Sequence, residues 1–196
     1  SSFIDTISNF SYIASIQPIA NYNGLFPHRM SEDYLLEATP QINIFDYGLS
    51  YEQIAIHQGE ELHNLNFMGE GMLIAVLDAG WTGFTSLEHL TYLFDRGQIV
   101  GTRDLQPEFD NVYEGHPHGT AVTSIMAAEI DGELIGSAPK ANYYFIRSEN
   151  PWSEQWIEED FWAEAAEIAD SIGADVINSS LGYTTFSNLP TPLTYA

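Results

Sequence analysis

The chain has 196 residues, 44% of them apolar and 13% aromatic, a globular composition long enough for one domain with a sizeable core and unlike that of a disordered chain. Its 5 basic and 28 acidic residues leave a net charge of −23, which argues against nucleic acid and anionic membrane surfaces as partners. The absence of cysteine excludes disulfides, a thiol nucleophile and cysteine metal ligands, and no apolar run approaches the length of a membrane span.

The start, Ser1-Ser2-Phe3-Ile4-Asp5, has no basic region and no signal core, so an export signal is expected to have been removed or to lie upstream. Phe10 to Ile16 partly alternates and stops at Pro18, predicting a short strand. Ala20 to Pro40, with Asn21-Tyr22-Asn23-Gly24, Phe26-Pro27 and Thr39-Pro40, reads as a linker carrying a weakly helical patch at Glu32–Glu37. Residues 1–46 are therefore expected to form an extension to a body at 47–196.

In that body, Ser50 and Gln53 fit a capping box opening a helix with Ile54 and Ile56, and Glu60 to Leu65 predicts a second short helix. Gly69-Glu70-Gly71 then punctuates the chain before Met72-Leu73-Ile74-Ala75-Val76-Leu77-Asp78-Ala79-Gly80. A short unbroken apolar run between turn residues predicts a strand buried on both faces, as in a parallel sheet. A short helix is expected at Leu87–Phe94, a brief strand at Gln98-Ile99-Val100-Gly101, and an irregular acidic loop from Asp104 to Gly115.

His116-Pro117-His118-Gly119-Thr120 opens a helix that is apolar nearly all round and is expected to lie buried. Asp131-Gly132 ends that element, and Ile135-Gly136-Ser137-Ala138-Pro139 leads into a strand from Ala141 to Ile146. Glu154 to Ile172 is amphipathic: Trp156, Ile157, Phe161, Ala165, Ile168, Ala169 and Ile172 form the core stripe, Glu158, Glu159, Glu164 and Glu167 face water, and Gly173 is the C-cap. Asp175 to Gly182 is a further buried strand running into a turn, and Thr184 to Ala196 is polar without period. Alternating strands and helices predict an α/β fold of three layers: a mostly parallel sheet, with the strands of Asp78, Tyr143 and Val176 parallel and helices on both faces.

A carboxylate at the C-terminal end of a buried parallel strand sits where open α/β sheets place their chemistry. Taken alone, Asp78 in Asp-Ala-Gly would be a turn residue; His118 at the start of a helix, followed by glycine, changes that reading. An aspartate that holds one imidazole nitrogen frees the other to act as general base, provided a nucleophile comes within hydrogen-bond reach. Gly119 permits another backbone or a substrate to approach closely. His28, His57, His63 and His89 have no metal-ligand spacing, and His116, two before His118, reads as the start of the loop, with lining of the cleft as the alternative.

In Tyr47 to about Tyr183 the chain resembles the first half of a subtilisin-like serine protease (subtilase) catalytic domain. Gly69 to Gly80 resembles the family's aspartate motif, His118-Gly119-Thr120-Ala121-Val122 its histidine motif, Gly136-Ser137-Ala138-Pro139 its Gly-x-Ala-Pro turn, and Asp175 to Gly182 the strand that forms the substrate cleft. The resemblance implies that Asp78 orients and stabilises the imidazolium and that His118 is general base and then general acid. It implies that Ser180, Leu181 and Gly182 bind an extended peptide substrate through the backbone, as an added strand. Ser179 and Ser180 are not the nucleophile on this reading. Glu149 to Glu154 would be an edge strand beside the substrate, with an acidic rim that favours basic or uncharged residues.

Departures are specific. Ala79 stands where the family usually has serine or threonine, and Ala121 and Thr123 differ from its commonest residues. Ala128 to Gly136 lacks an oxygen-rich calcium loop, so neither a metal nor a cofactor is implied. The family's Gly-Thr-Ser-x-Ala nucleophile motif and its oxyanion asparagine do not occur in these residues. The expected partner is thus a C-terminal part of the same protease carrying the serine, on a nicked second piece or further along a longer chain; by itself this chain should be inactive. Phe10 to Asp46 resembles the last strand and exit linker of a subtilase propeptide, and the family implies a secreted or cell-surface location. The rival reading is a catalytically inactive subtilase-like domain that binds peptides along Ser180–Gly182. A nucleotide-binding module is disfavoured because no Gly-x-Gly-x-x-Gly or Gly-Lys-Ser/Thr loop follows any strand.

Overall fold

The computed structural model of the chain describes residues 43–106, 111–153 and 155–183. The expected strand at Phe10–Ile16, the patch at Glu32–Glu37 and the tail from Thr184 lie outside the described residues. In order come helices α1 (Tyr51–Ala55) and α2 (Gly59–Asn64), strand β1 (Leu73–Asp78), a 3-10 turn (Phe84–Ser86), α3 (Glu88–Asp95) and β2 (Ile99–Asp104). Helix α4 (His118–Ala127), the two-residue strands β3 (Glu129–Ile130) and β4 (Leu134–Ile135), β5 (Asn142–Arg147), α5 (Ile157–Ser171) and β6 (Val176–Ser179) follow.

The main sheet has the order β2-β5-β1-β6, with every neighbouring pair parallel. Side chains alternate across a strand, and this sheet uses both faces. Ile74 and Val76 of β1 join Tyr143 and Phe145 of β5 in a core that also takes Leu90 and Leu93 of α3 and Ala127 of α4. Ala75 and Leu77 join Ile146 and pack on Ala165 and Ala169 of α5. Helices thus cover both faces, and the three-layer α/β architecture is the one the alternation of elements predicts. The brief strand expected at Gln98–Gly101 extends to Asp104 and forms the fourth member, β2.

Four local expectations are corrected. Asp131-Gly132 is the tip of a small antiparallel hairpin, β3–β4. Ser50 stands at the start of α1 without a side-chain cap; its hydroxyl donates to the Tyr47 carbonyl (2.6 Å) and accepts from the Ile135 N–H (2.9 Å), tying α1 to the hairpin. Glu158 does not face water. It is 1% exposed, and its carboxylate accepts from the N–H groups of Asn150 and Gln155 at 2.8 Å, satisfying donors ahead of α5 where a negative charge also suits the helix dipole. Finally, β6 and α4 are half-covered. Val176 and Ile177 are exposed, as is Ile125 on α4, because β6 is the sheet's edge and nothing among the described residues overlies these faces.

With few cations available, their placement matters. Glu129 accepts from Lys140 Nζ at 2.9 Å and from Arg96, whose guanidinium also lies over the Tyr92 ring. Burial alone pushes the Glu129 carboxyl up, but the hydrogen bonds from Lys140 and Arg96 and their charges outweigh it and hold it below the ordinary glutamate range. A depressed carboxyl contributes stability above its unfolded pKa and loses it as pH falls through the folded value. Glu129→Gln should therefore weaken the fold by about 1–2 kcal/mol at pH 7 and by much less at about pH 2, well under the free carboxyl value. Urea unfolding at both pH values checks this; an equal loss at both would contradict it.

Candidate active site

The site begins at the C-terminal end of β1. Asp78 is the last residue of a strand buried between neighbours on both sides, and its side chain is 0% exposed. The chain then turns through Ala79 and Gly80 into Trp81, a fully buried indole stacked on Phe145 at 4.5 Å whose Nε1–H donates to Thr123 Oγ1 of α4 (2.9 Å). That contact sets α4 against the sheet. Thr120 Oγ1 adds a bond to the Thr82 carbonyl (3.1 Å), and the Gly119 N–H bonds the Gly80 carbonyl (3.0 Å). A side-chain carbon on Gly119 would lie 2.6 Å from the Gly80 oxygen and 2.8 Å from the Trp81 ring. Only glycine therefore lets the first turn of α4 settle on the exit of β1, the close approach that the His-Gly pair predicts.

This packing brings His118 to Asp78. His118 Nδ1 lies 2.9 Å from Oδ1 and 3.0 Å from Oδ2, and the Ala79 N–H donates to Oδ1 at 2.7 Å. An ionised carboxylate only accepts, so Nδ1 carries the proton and Nε2 is the nitrogen left for other chemistry. The His118 side chain is 43% exposed beside its fully buried partner. Burial drives the Asp78 carboxyl above its ordinary value; the hydrogen bonds from His118 and Ala79 and the charges of His118 and His116 oppose the rise without cancelling it.

His116 has more than the loop-starting role read from the sequence. Its Nδ1 accepts from the His118 N–H (3.2 Å), and its ring lies 6.4 Å from that of His118. A His-x-His pair just ahead of a helix was the available signal, since the helix's first N–H groups need acceptors.

Ser180, Leu181 and Gly182 follow β6 directly, and β6 pairs with β1 in a register that sets Ser179 opposite Leu77. The three residues therefore leave the sheet beside the strand that ends in Asp78. Leu181 packs against the α5-side core, while Ser180 and Gly182 are exposed. Leu181 also borders a groove of about 540 Å³ with Glu159, Trp162, Ser179 and Tyr183, in which Trp162 Nε1–H donates to Ser179 Oγ (2.9 Å). The edge strand expected at Glu149–Glu154 is absent among the described residues. Asn150 to Ser153 forms a turn held by the Glu158 carboxylate, Glu149 is buried, and Glu154 lies outside the described residues. His63 is a satisfied core histidine between the Tyr47 hydroxyl (2.8 Å) and the Ser137 carbonyl (3.0 Å), and burial, with the charge of Glu60, pushes that Tyr47 hydroxyl up to about 12. No group of three or more metal-ligating side chains converges among the described residues.

The model of the subtilase family matches residues 69–195. The chain belongs to the subtilase family. Among solved structures, this subtilase chain is similar to the MycP3 protease from the type VII (ESX-3) secretion system, with 21% identity and a TM-score of 0.50 over 72% of this chain and 38% of that one. It is also similar to MycP1 from Mycobacterium smegmatis, with 19% identity and a TM-score of 0.47 over 71% of this chain and 37% of that one. The subtilase chain spans less than two-fifths of the length of these structures, and the likeness to MycP3 shows the fold alone. No curated protein sequence matches the chain.

A carboxyl raised by burial is a burden on the fold that is absent below its ordinary pKa and complete once pH exceeds the raised value. Asp78→Asn removes the buried charge and keeps an acceptor for the Ala79 N–H. The variant should unfold at a higher urea midpoint than the wild type at pH 7, and the gain should shrink towards pH 3. A lower midpoint at pH 7 would contradict the reading.

Proposed function

We propose that this subtilase chain supplies the aspartate and histidine of an Asp-His-Ser triad in a serine endopeptidase whose nucleophile lies on a C-terminal part of the same protease. The observation that carries the proposal is the hydrogen bond from His118 Nδ1 to the buried Asp78 carboxylate at the rim of the sheet. His118 Nε2 takes the proton of the serine hydroxyl as its oxygen attacks the peptide carbonyl. Asp78 stabilises the imidazolium that results, and the same proton passes to the departing amine. Water then enters by the reverse proton path and releases the acyl group. Peptide substrate lies extended along the backbone of Ser180, Leu181 and Gly182 in the manner of an added strand. The uncovered faces of β6 and α4, with Val176, Ile177 and Ile125, are where the serine-bearing part docks, because apolar surface of this kind is stabilised by burial. Peptide cleavage outside the cell, in a secreted or surface-attached protein, follows from the family resemblance.

The test uses the assembled protease. A fluorophosphonate probe should label one serine, and His118→Ala should abolish that labelling and lower peptide turnover by roughly 10⁴- to 10⁶-fold. Peptide binding that survives His118→Ala, in an assembly that never labels, would instead establish the inactive peptide-binding domain.

A further inference from the structure

The last row of the sheet holds three ionisable residues side by side. Arg147, which ends β5, is in register with Asp78 on β1 and with Asp104 on β2. The alternation that puts Ile74, Val76, Tyr143 and Phe145 into one core sends Asp78 and Arg147 to that same face. Arg147 is 1% exposed, and its guanidinium closes as a fork on Asp104, with Nε to Oδ1 at 2.9 Å and Nη2 to Oδ2 at 2.6 Å.

The other side of the guanidinium supports the loop that delivers His118. The Gly115 backbone lies so close that a side-chain carbon there would come within 2.9 Å of Nη1. Gly115 in turn bridges Gly80, and the His116 N–H bonds the Ala79 carbonyl (3.3 Å). The residue after Arg147 reaches the site as well, for the Ser148 N–H donates to the Asp78 carbonyl (3.1 Å). An ion pair with one partner buried and the other half-buried, as here, is a poor device for stability alone, since apolar residues of similar volume often serve as well or better. Its planar fork does fix a geometry that apolar packing does not.

We propose that Arg147, braced by Asp104, is a positioning residue for the Asp78–His118 pair: its guanidinium is the floor beneath the Gly115–Pro117 loop and sets how His118 meets the carboxylate. The inference rests on the protease reading above. In the assembled protease the paired variant Arg147→Met/Asp104→Leu removes both charges of the pair and should keep its thermal midpoint. Its kcat should nevertheless fall about 10- to 100-fold with KM within about twofold, and the amides of His116 and Gly119 should exchange at least about tenfold faster. Either change without the other, or neither, overturns the proposal. A paired variant too unstable to assay passes the decision to Arg147→Lys, which keeps the cation and loses the fork. It should show faster exchange and a smaller drop in kcat, and wild-type behaviour in both would overturn the proposal. If the wild-type assembly cleaves no peptide, the protease reading falls, and the exchange comparison then decides the positioning claim by itself.

Discussion

A carboxylate with no exposure to solvent, held by an imidazole N–H and a single backbone N–H, is the interaction on which this structure turns. Burying an ionised group is expensive unless hydrogen bonds replace its water. Asp78 meets that requirement with few donors, and one of them belongs to a side chain that is itself half-exposed. The carboxyl remains above its ordinary pKa in spite of them. A site chosen for stability alone would have an apolar or neutral residue here. Retaining the charge makes sense where the charge is needed when a neighbouring imidazole becomes cationic.

The architecture serves that contact through close approach of backbone. Parallel pairing buries β1 between β5 and β6 and brings the strand ends to one rim. Trp81 and Thr123 lock α4 to the sheet, and Gly119 lets its first turn sit directly on Gly80. The same rim carries the Arg147–Asp104 fork and the segment from Ser180 to Gly182. The Asp78–His118 contact, the Arg147–Asp104 fork and the segment from Ser180 to Gly182 thus share one edge, where open α/β sheets place their sites. The opposite situation holds on the far side of β6 and on the outer face of α4, where apolar side chains stand exposed.

Much of this was legible in the residues. The strand of Asp78 and the helix of His118 carry strong local signals: an unbroken apolar run between glycines, and a histidine followed by glycine at a helix start. The layers follow from alternation. Most of what escaped depends on partners distant in the chain. An apolar run does not distinguish a central strand from an edge, so the sequence of β6 reads as a buried strand. A helical wheel puts Glu158 towards water, yet at the first turn of α5 the orphan N–H groups nearby recruit it inward. Ser50 has the composition of a cap and the hydrogen bonds of a tether to β4. Arg147 is one cation at the end of an apolar strand, with nothing local to announce a partner on β2.

The Asp78–His118 contact comes down to where one proton sits. In free neutral histidine the Nε2–H tautomer is favoured, whereas the Asp78 carboxylate imposes the proton on Nδ1 of His118. A long-range ¹H–¹⁵N correlation spectrum of the histidine-labelled protein at neutral pH reads this directly. In the neutral form of the His118 ring, Nδ1 should be protonated and Nε2 bare; a bare Nδ1 with the proton on Nε2 would contradict the hydrogen bond to Asp78.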